Sequence, residues 1–196
     1  TVLGLTALTL TGCASVGAPA CSAPAEASAG LQAQVSVSGP IGTLPDVAIS
    51  SPMHVEESAS WTTEDGDGGV PITSDDQLVT LNIAVYDGTT GEKLVQTAFD
   101  GAGANPTTVG SWTETFPEFT SLLQCATPGD RVVLALPPSG VSEQAAPSIG
   151  VGGNTSTIVI VDVEDTFLTR ATGSTVFNDA HGMPTVVRAS NGQPGI

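Results

Sequence analysis

The stretch from Gly110 to Gly140 constrains this chain most, because a helix signal, a turn signal and a strand signal follow one another in it. Phe119, Leu122 and Leu123 stand at offsets that place apolar side chains on one helical face, in a run (118–123) with room for only about two turns. Thr127-Pro128-Gly129-Asp130 carries the proline and glycine of a tight turn. Arg131-Val132-Val133-Leu134-Ala135-Leu136 then reads as a β-branched strand, stopped by Pro137-Pro138. Whatever the rest of the chain does, it has to pack around a short helix and a buried strand joined by that turn.

The 196 residues suffice for one domain with a buried core and an additional segment. The 23 glycines and 14 prolines, with little Lys or Glu to fill long helices, favour a β-rich fold with many turns. Against 20 acidic side chains stand 4 basic ones, a formal net charge of −16. Without a basic cluster there is nothing to neutralise phosphates, which excludes nucleic acid as a partner. The acidity is that of a solvated surface that keeps a protein soluble.

Further strands follow from alternation. Gln34 to Ser38 alternates like an edge strand, Leu44 to Ile49 forms another after the Gly39-Pro40 turn, and Glu56 to Thr62 is a third. Leu78 to Tyr86 is the longest, with Val79, Leu81, Ile83 and Val85 on one face. Asp87-Gly88-Thr89-Thr90-Gly91 has hairpin chemistry and returns the chain through Glu92 to Ala98 as an antiparallel partner. Beyond Pro138 a Gly/Ser/Pro-rich segment runs to Ser156, too long for a tight hairpin and suggestive of a functional flap. Thr157 to Val163 is the last strong strand, apolar on both faces at its centre. The acidic run Glu64 to Gly69 lacks the alternating ligands and distal Glu of a calcium loop and reads as a turn. His54 and His181 read as solvent-exposed, Trp61 and Trp112 as partial core.

The chain opens on an apolar run, Thr1 to Leu10, which is too short to span a bilayer and looks like the back half of a secretory signal peptide. Leu10-Thr11-Gly12-Cys13 resembles the bacterial lipobox, in which cleavage precedes the cysteine and its thiol receives a lipid. On that reading residues 1–12 are a partial signal peptide and 13–30 a lipidated, flexible Ala/Ser/Pro tether, with the protein held extracytoplasmically at a membrane through Cys13. Cys21 and Cys125 are then the remaining thiols in an oxidising compartment, and a Cys21–Cys125 disulfide is expected, two free thiols being the alternative.

The order of elements resembles the FKBP family of peptidyl-prolyl isomerases. The motifs that carry the likeness are Asp87-Gly88 to Leu94, Phe116-Pro117-Glu118-Phe119, Gly129-Asp130-Arg131, Leu136-Pro137-Pro138 and Ile158 to Val163, spanning roughly residues 70–166. With the lipobox and tether, the chain looks most like the exported FKBP-type lipoproteins of actinobacteria. The resemblance implies an α+β fold, an antiparallel β-sheet curled around one short α-helix, over residues 31–168.

It also implies a proline pocket lined by Phe119 as aromatic floor, Phe116, Ile83, Leu94, Val141 and Val159, with the Phe116 backbone N–H meeting a ligand carbonyl. Several family aromatics, and its polar Tyr and Asp, are replaced here by aliphatic side chains; matching Phe99-Asp100 to the family's Phe-Asp pair recovers both at the cost of a longer hairpin. The implied function is peptidyl-prolyl isomerisation of exported client proteins, at a weak rate. The alternative is an FKBP-like binding or chaperone module of the envelope without catalysis. An apolar pocket favours the twisted, less polar imide, so no metal or cofactor is expected. The partner is a proline-containing peptide or unfolded exported protein.

In the tail, Gly182 to Val187 echoes Gly42 to Val47, each followed by a further proline. Residues 169–196 accordingly read as a linker and the truncated start of a second, similar domain, a chance likeness of two short strands being the alternative.

Overall fold

The computed structural model describes residues 21–100 and 105–170, and the backbone of 187–188 and 194–195. Residues 1–12, Cys13, the first part of the tether, His181 and most of the tail lie outside the described residues.

In chain order the elements are α1 (Ala29–Gln32), β1 (Val35–Ser38), β2 (Asp46–Ile49), β3 (Ala59–Glu64), β4 (Leu78–Asp87), β5 (Lys93–Gln96), β6 (Thr107–Thr108), α2 (Gly110–Thr113) and α3 (Phe119–Leu122). There follow β7 (Arg131–Leu136), a 3₁₀ turn (Pro138–Gly140), α4 (Ala146–Ile149), β8 (Thr157–Thr166), β9 (Val187–Arg188) and β10 (Pro194–Gly195). A six-stranded sheet runs β3-β7-β8-β4-β5, with β6 on the end of β4. Its neighbouring strands are antiparallel throughout. The fold class is therefore α+β, an antiparallel sheet with a few short helices.

Two-residue alternation sorts the strands' side chains into two cores. Val79, Leu81, Ile83 and Val85 of β4, Val132, Leu134 and Leu136 of β7, and Val159, Val161 and Val163 of β8 face the helices and bury Phe116, Phe119, Leu122 and Leu123. On the opposite face Ala84, Tyr86, Val133, Ala135, Ile158 and Ile160 form a second core with Trp61, Met53, Val55 and Phe99. Burial on both faces explains why β7 and the centre of β8 are apolar without alternation.

The cover on that second face is what the alternation of Gln34 to Ser38 does not reveal. Among the described residues β1 and β2 do not extend the six-stranded sheet but pair with each other as a two-stranded hairpin. Val37, Val47 and Ile49 of the hairpin pack on the second core. Arg131 and Asp162, paired residues on β7 and β8, hold its loop down. The Arg131 guanidinium donates to both carboxylate oxygens of Asp162, each at 2.6 Å, and to the Gly39 carbonyl at 2.7 Å and the Pro40 carbonyl at 3.2 Å. The Gly42 N–H in turn donates to Asp162 at 3.0 Å. Both charged side chains are fully buried, and the fork-on-fork geometry with extra backbone partners offsets the cost of removing them from water.

The expected helix over 118–123 is α3 with its flanks: the Leu122 N–H donates to the Glu118 carbonyl and that of Leu123 to Phe119, each at 3.0 Å. α2 precedes it and α4 sits inside the expected flap; neither was legible, since each is a single turn without apolar periodicity. Cys21 and Cys125 are disulfide-bonded, the pairing expected, with Cα atoms 5.5 Å apart. Beyond Cys21 the segment is laid against the domain: Ala27 is buried in the second core and its N–H donates to the Ser60 carbonyl at 3.0 Å.

Candidate proline site

α2, α3 and the link between them carry an aromatic row. Phe116 and Trp112 each stack on Phe119 with ring centroids 5.9 Å apart. The indole N–H of half-buried Trp112 donates to the Thr107 hydroxyl at 3.3 Å. The sheet presents Ile83 from β4 and Val159 from β8 beneath these rings, and the flap adds Val141. Leu94, on edge strand β5, packs against the same cluster with the end of α4 beside it. The fold thus brings all six expected pocket residues to one core.

That core is closed. Phe119 and Val159 are 0% exposed, Phe116 is 2%, and Ile83 and Val141 are 3%. Only Leu94 of the six is partly exposed. The Phe116 N–H, expected to meet a ligand carbonyl, donates to the Trp112 carbonyl at 2.8 Å, because the short helical turn before α3 consumes it. The flap is latched over the helices: the Ser142 N–H donates to the Thr115 carbonyl at 2.9 Å and its hydroxyl to the Glu114 carbonyl at 2.7 Å. Open space lies outside this seal, in a groove of about 560 Å³ along the flap, where Pro138, Val141, Ala146, Pro147 and Val151 form the apolar lining and Glu143 the charged one.

The acidic run at Glu64 to Gly69 is docked on the Pro128-Gly129-Asp130 turn. Asp130 accepts from the Gly66 N–H at 2.6 Å and the Thr127 N–H at 2.7 Å. A Cβ on Gly66 would overlap the Pro128 carbonyl oxygen, so glycine is needed for this close approach. Among the described residues no group of three His, Cys, Asp or Glu side chains is placed to hold a metal. His54 is exposed and Trp61 is buried in the second core.

No family model and no curated protein matches the sequence. Among solved structures the chain is similar to FkpA from Escherichia coli, at 19% identity and a TM-score of 0.43 over 58% of this chain and 49% of that one. It is also similar to a peptidyl-prolyl cis-trans isomerase from Pseudomonas syringae pv. tomato, at 15% identity and a TM-score of 0.42 over 56% of this chain and 74% of that one. The N-terminal domain of FKBP42 from Arabidopsis thaliana aligns at 13% identity and a TM-score of 0.47, over 66% of this chain and all of that one (100%). The chain spans about half the length of the FkpA structure it matches.

Two polar clusters escaped the sequence reading. One is the Arg131–Asp162 pair, signalled only by Arg131 at the start of apolar β7 and by Asp162 after the apolar run Ile158 to Val161 of β8. The other is centred on buried Asn82, whose side-chain oxygen accepts from the Thr97 hydroxyl at 3.0 Å and the Phe99 N–H at 3.3 Å and whose amide donates to Glu164. Burial, then the nearby carboxylates of Asp165 and Asp162, raise the Glu164 pKa, against the hydrogen bond from Asn82. Tyr86 is raised by burial first and by Asp46 second.

Proposed function

We propose that this chain is an exported, membrane-anchored FKBP-like module that holds proline-containing segments of client proteins in the flap groove, with turnover slow or absent. The observation that carries this reading is the closure of five of the six pocket positions: a prolyl ring has no exposed aromatic floor to enter, while an open groove of mixed apolar and polar lining lies beside it. The replacement of family aromatics by Ile83, Leu94 and Val159 supports it, because aliphatic side chains fill the space that a ring would need. Anchoring through a lipidated Cys13 rests on the Leu10 to Cys13 pattern, and a disulfide between Cys21 and Cys125 suits an oxidising compartment outside the cytoplasm.

A weak isomerase is the second reading, favoured by the stacked Phe116, Phe119 and Trp112. NMR exchange spectroscopy on a proline tetrapeptide separates the two. The expected result is a cis–trans rate equal to that in buffer, together with shifts of flap resonances on adding the peptide. A catalysed rate from folded protein establishes the isomerase instead.

A further inference from the structure

Outside the flap, the outer edge of β3 carries a second built feature. Residues 21–27 run along it as a strap: Glu26 bridges Ser60 in parallel orientation and the Ala27 N–H donates to the Ser60 carbonyl at 3.0 Å. The strap is held at one end by the Cys21–Cys125 disulfide and at the other by Ala27 in the second core. Between strap and sheet lies a cleft of about 120 Å³, with Pro24, Trp61, Leu122, Ala126 and Val132 in its lining. That is close to the roughly 150 Å³ that accepts a benzene ring.

The strap fits its own cleft poorly. Ala23, Pro24 and Ala25 carry small side chains. We propose that the β3 edge is a docking site for an extended polypeptide segment in parallel register, and that residues 21–27 are its built-in occupant, released when the disulfide opens. A segment with a larger apolar side chain at the place of Pro24 fills the cleft. Exposed Glu26 lies at the cleft, and the chain carries a net charge of −16, so a basic residue beside that apolar side chain is favoured.

Opening the latch is thiol–disulfide exchange. A dithiol gives two electrons and two protons to the Cys21–Cys125 bond, leaving two thiols here and becoming a disulfide itself. Both cysteines are only half-buried, which leaves the bond within reach of such a reagent. The proposal does not depend on the flap groove, because the edge offers backbone groups to any extended segment.

Hydrogen exchange and peptide binding, on the full chain with and without dithiothreitol, test it. The probe is a dye-labelled peptide with the sequence of residues 21–28, serine at the cysteine position and leucine at that of Pro24. Reduction is expected to speed exchange at 59–62 while β4 and β8 stay protected, and to tighten probe binding at least tenfold; the Cys21→Ser/Cys125→Ser variant is expected to match the reduced protein. Ala27→Pro, which removes the N–H given to Ser60 with the disulfide intact, speeds exchange at 59–62 by itself and remains informative where the double variant does not fold. Unchanged protection at 59–62, or a probe bound no better, in reduced protein whose β4 and β8 remain protected, overturns the proposal.

Discussion

Glu164 shows how a single carboxylate can work against the fold that holds it. Its pKa lies above the ordinary 4.5 because burial and neighbouring acids disfavour its charge. The folded chain then keeps a proton that the unfolded chain has released, so stability falls as pH rises through the window between 4.5 and the raised value, and the loss persists above it. Glu164→Gln keeps a carbonyl oxygen to accept from Asn82 and removes the charge. Its thermal midpoint should exceed that of the parent at pH 7, with the gain vanishing below the ordinary carboxylate range, as followed by melting curves across pH. Arg131 is the opposite case, a charge that cannot be removed alone. Arg131→Met leaves Asp162 buried without a counterion and strips donors from the Gly39 and Pro40 carbonyls. A loss of about 3–5 kcal/mol in urea titration is expected. Replacing Asp162 by leucine as well should recover part of it.

Between elements, the contact that matters for the proposed function is α3 against β4 and β8. Phe119 is sealed on all sides, so Phe119→Ala should leave a cavity and cost about 3–5 kcal/mol in denaturant unfolding. A much smaller loss would mean that the ring faces open space, which would revive an accessible proline site. The helix itself was legible, because Phe119, Leu122 and Leu123 are spaced for one face. So were β4 with its return strand β5, from alternation and the Asp87-Gly88 turn. What alternation in β1 and β2 left open was the partner: a half-buried strand reads the same at a sheet edge as in a hairpin laid over a sheet. The choice was made by Arg131, whose guanidinium meets the Gly39-Pro40 loop far along the chain.

For the molecule as a whole, the disulfide joins Cys21, within the segment expected to be a tether, to Cys125 just after α3 across a separation of 104 residues. Closing so long a loop restricts the unfolded chain, so Cys21→Ser/Cys125→Ser should lower unfolding stability by about 2–4 kcal/mol, measured against the oxidised parent in urea. The sequence by itself determined the main strands, the α3 helix and the acidic composition, because these depend on local spacing and side-chain chemistry, while the residues that gather around Phe119 were implied by the family resemblance. Tertiary structure alone decided that the second sheet face is covered, that Arg131 and Asp162 neutralise one another, and that the gathered residues form a sealed core and not an open pocket. Volume is the reason. Whether Ile83, Leu94, Val141 and Val159 line a cavity or fill it depends on how closely β4, β5, the flap and β8 approach the aromatic row, a distance that no run of residues encodes locally.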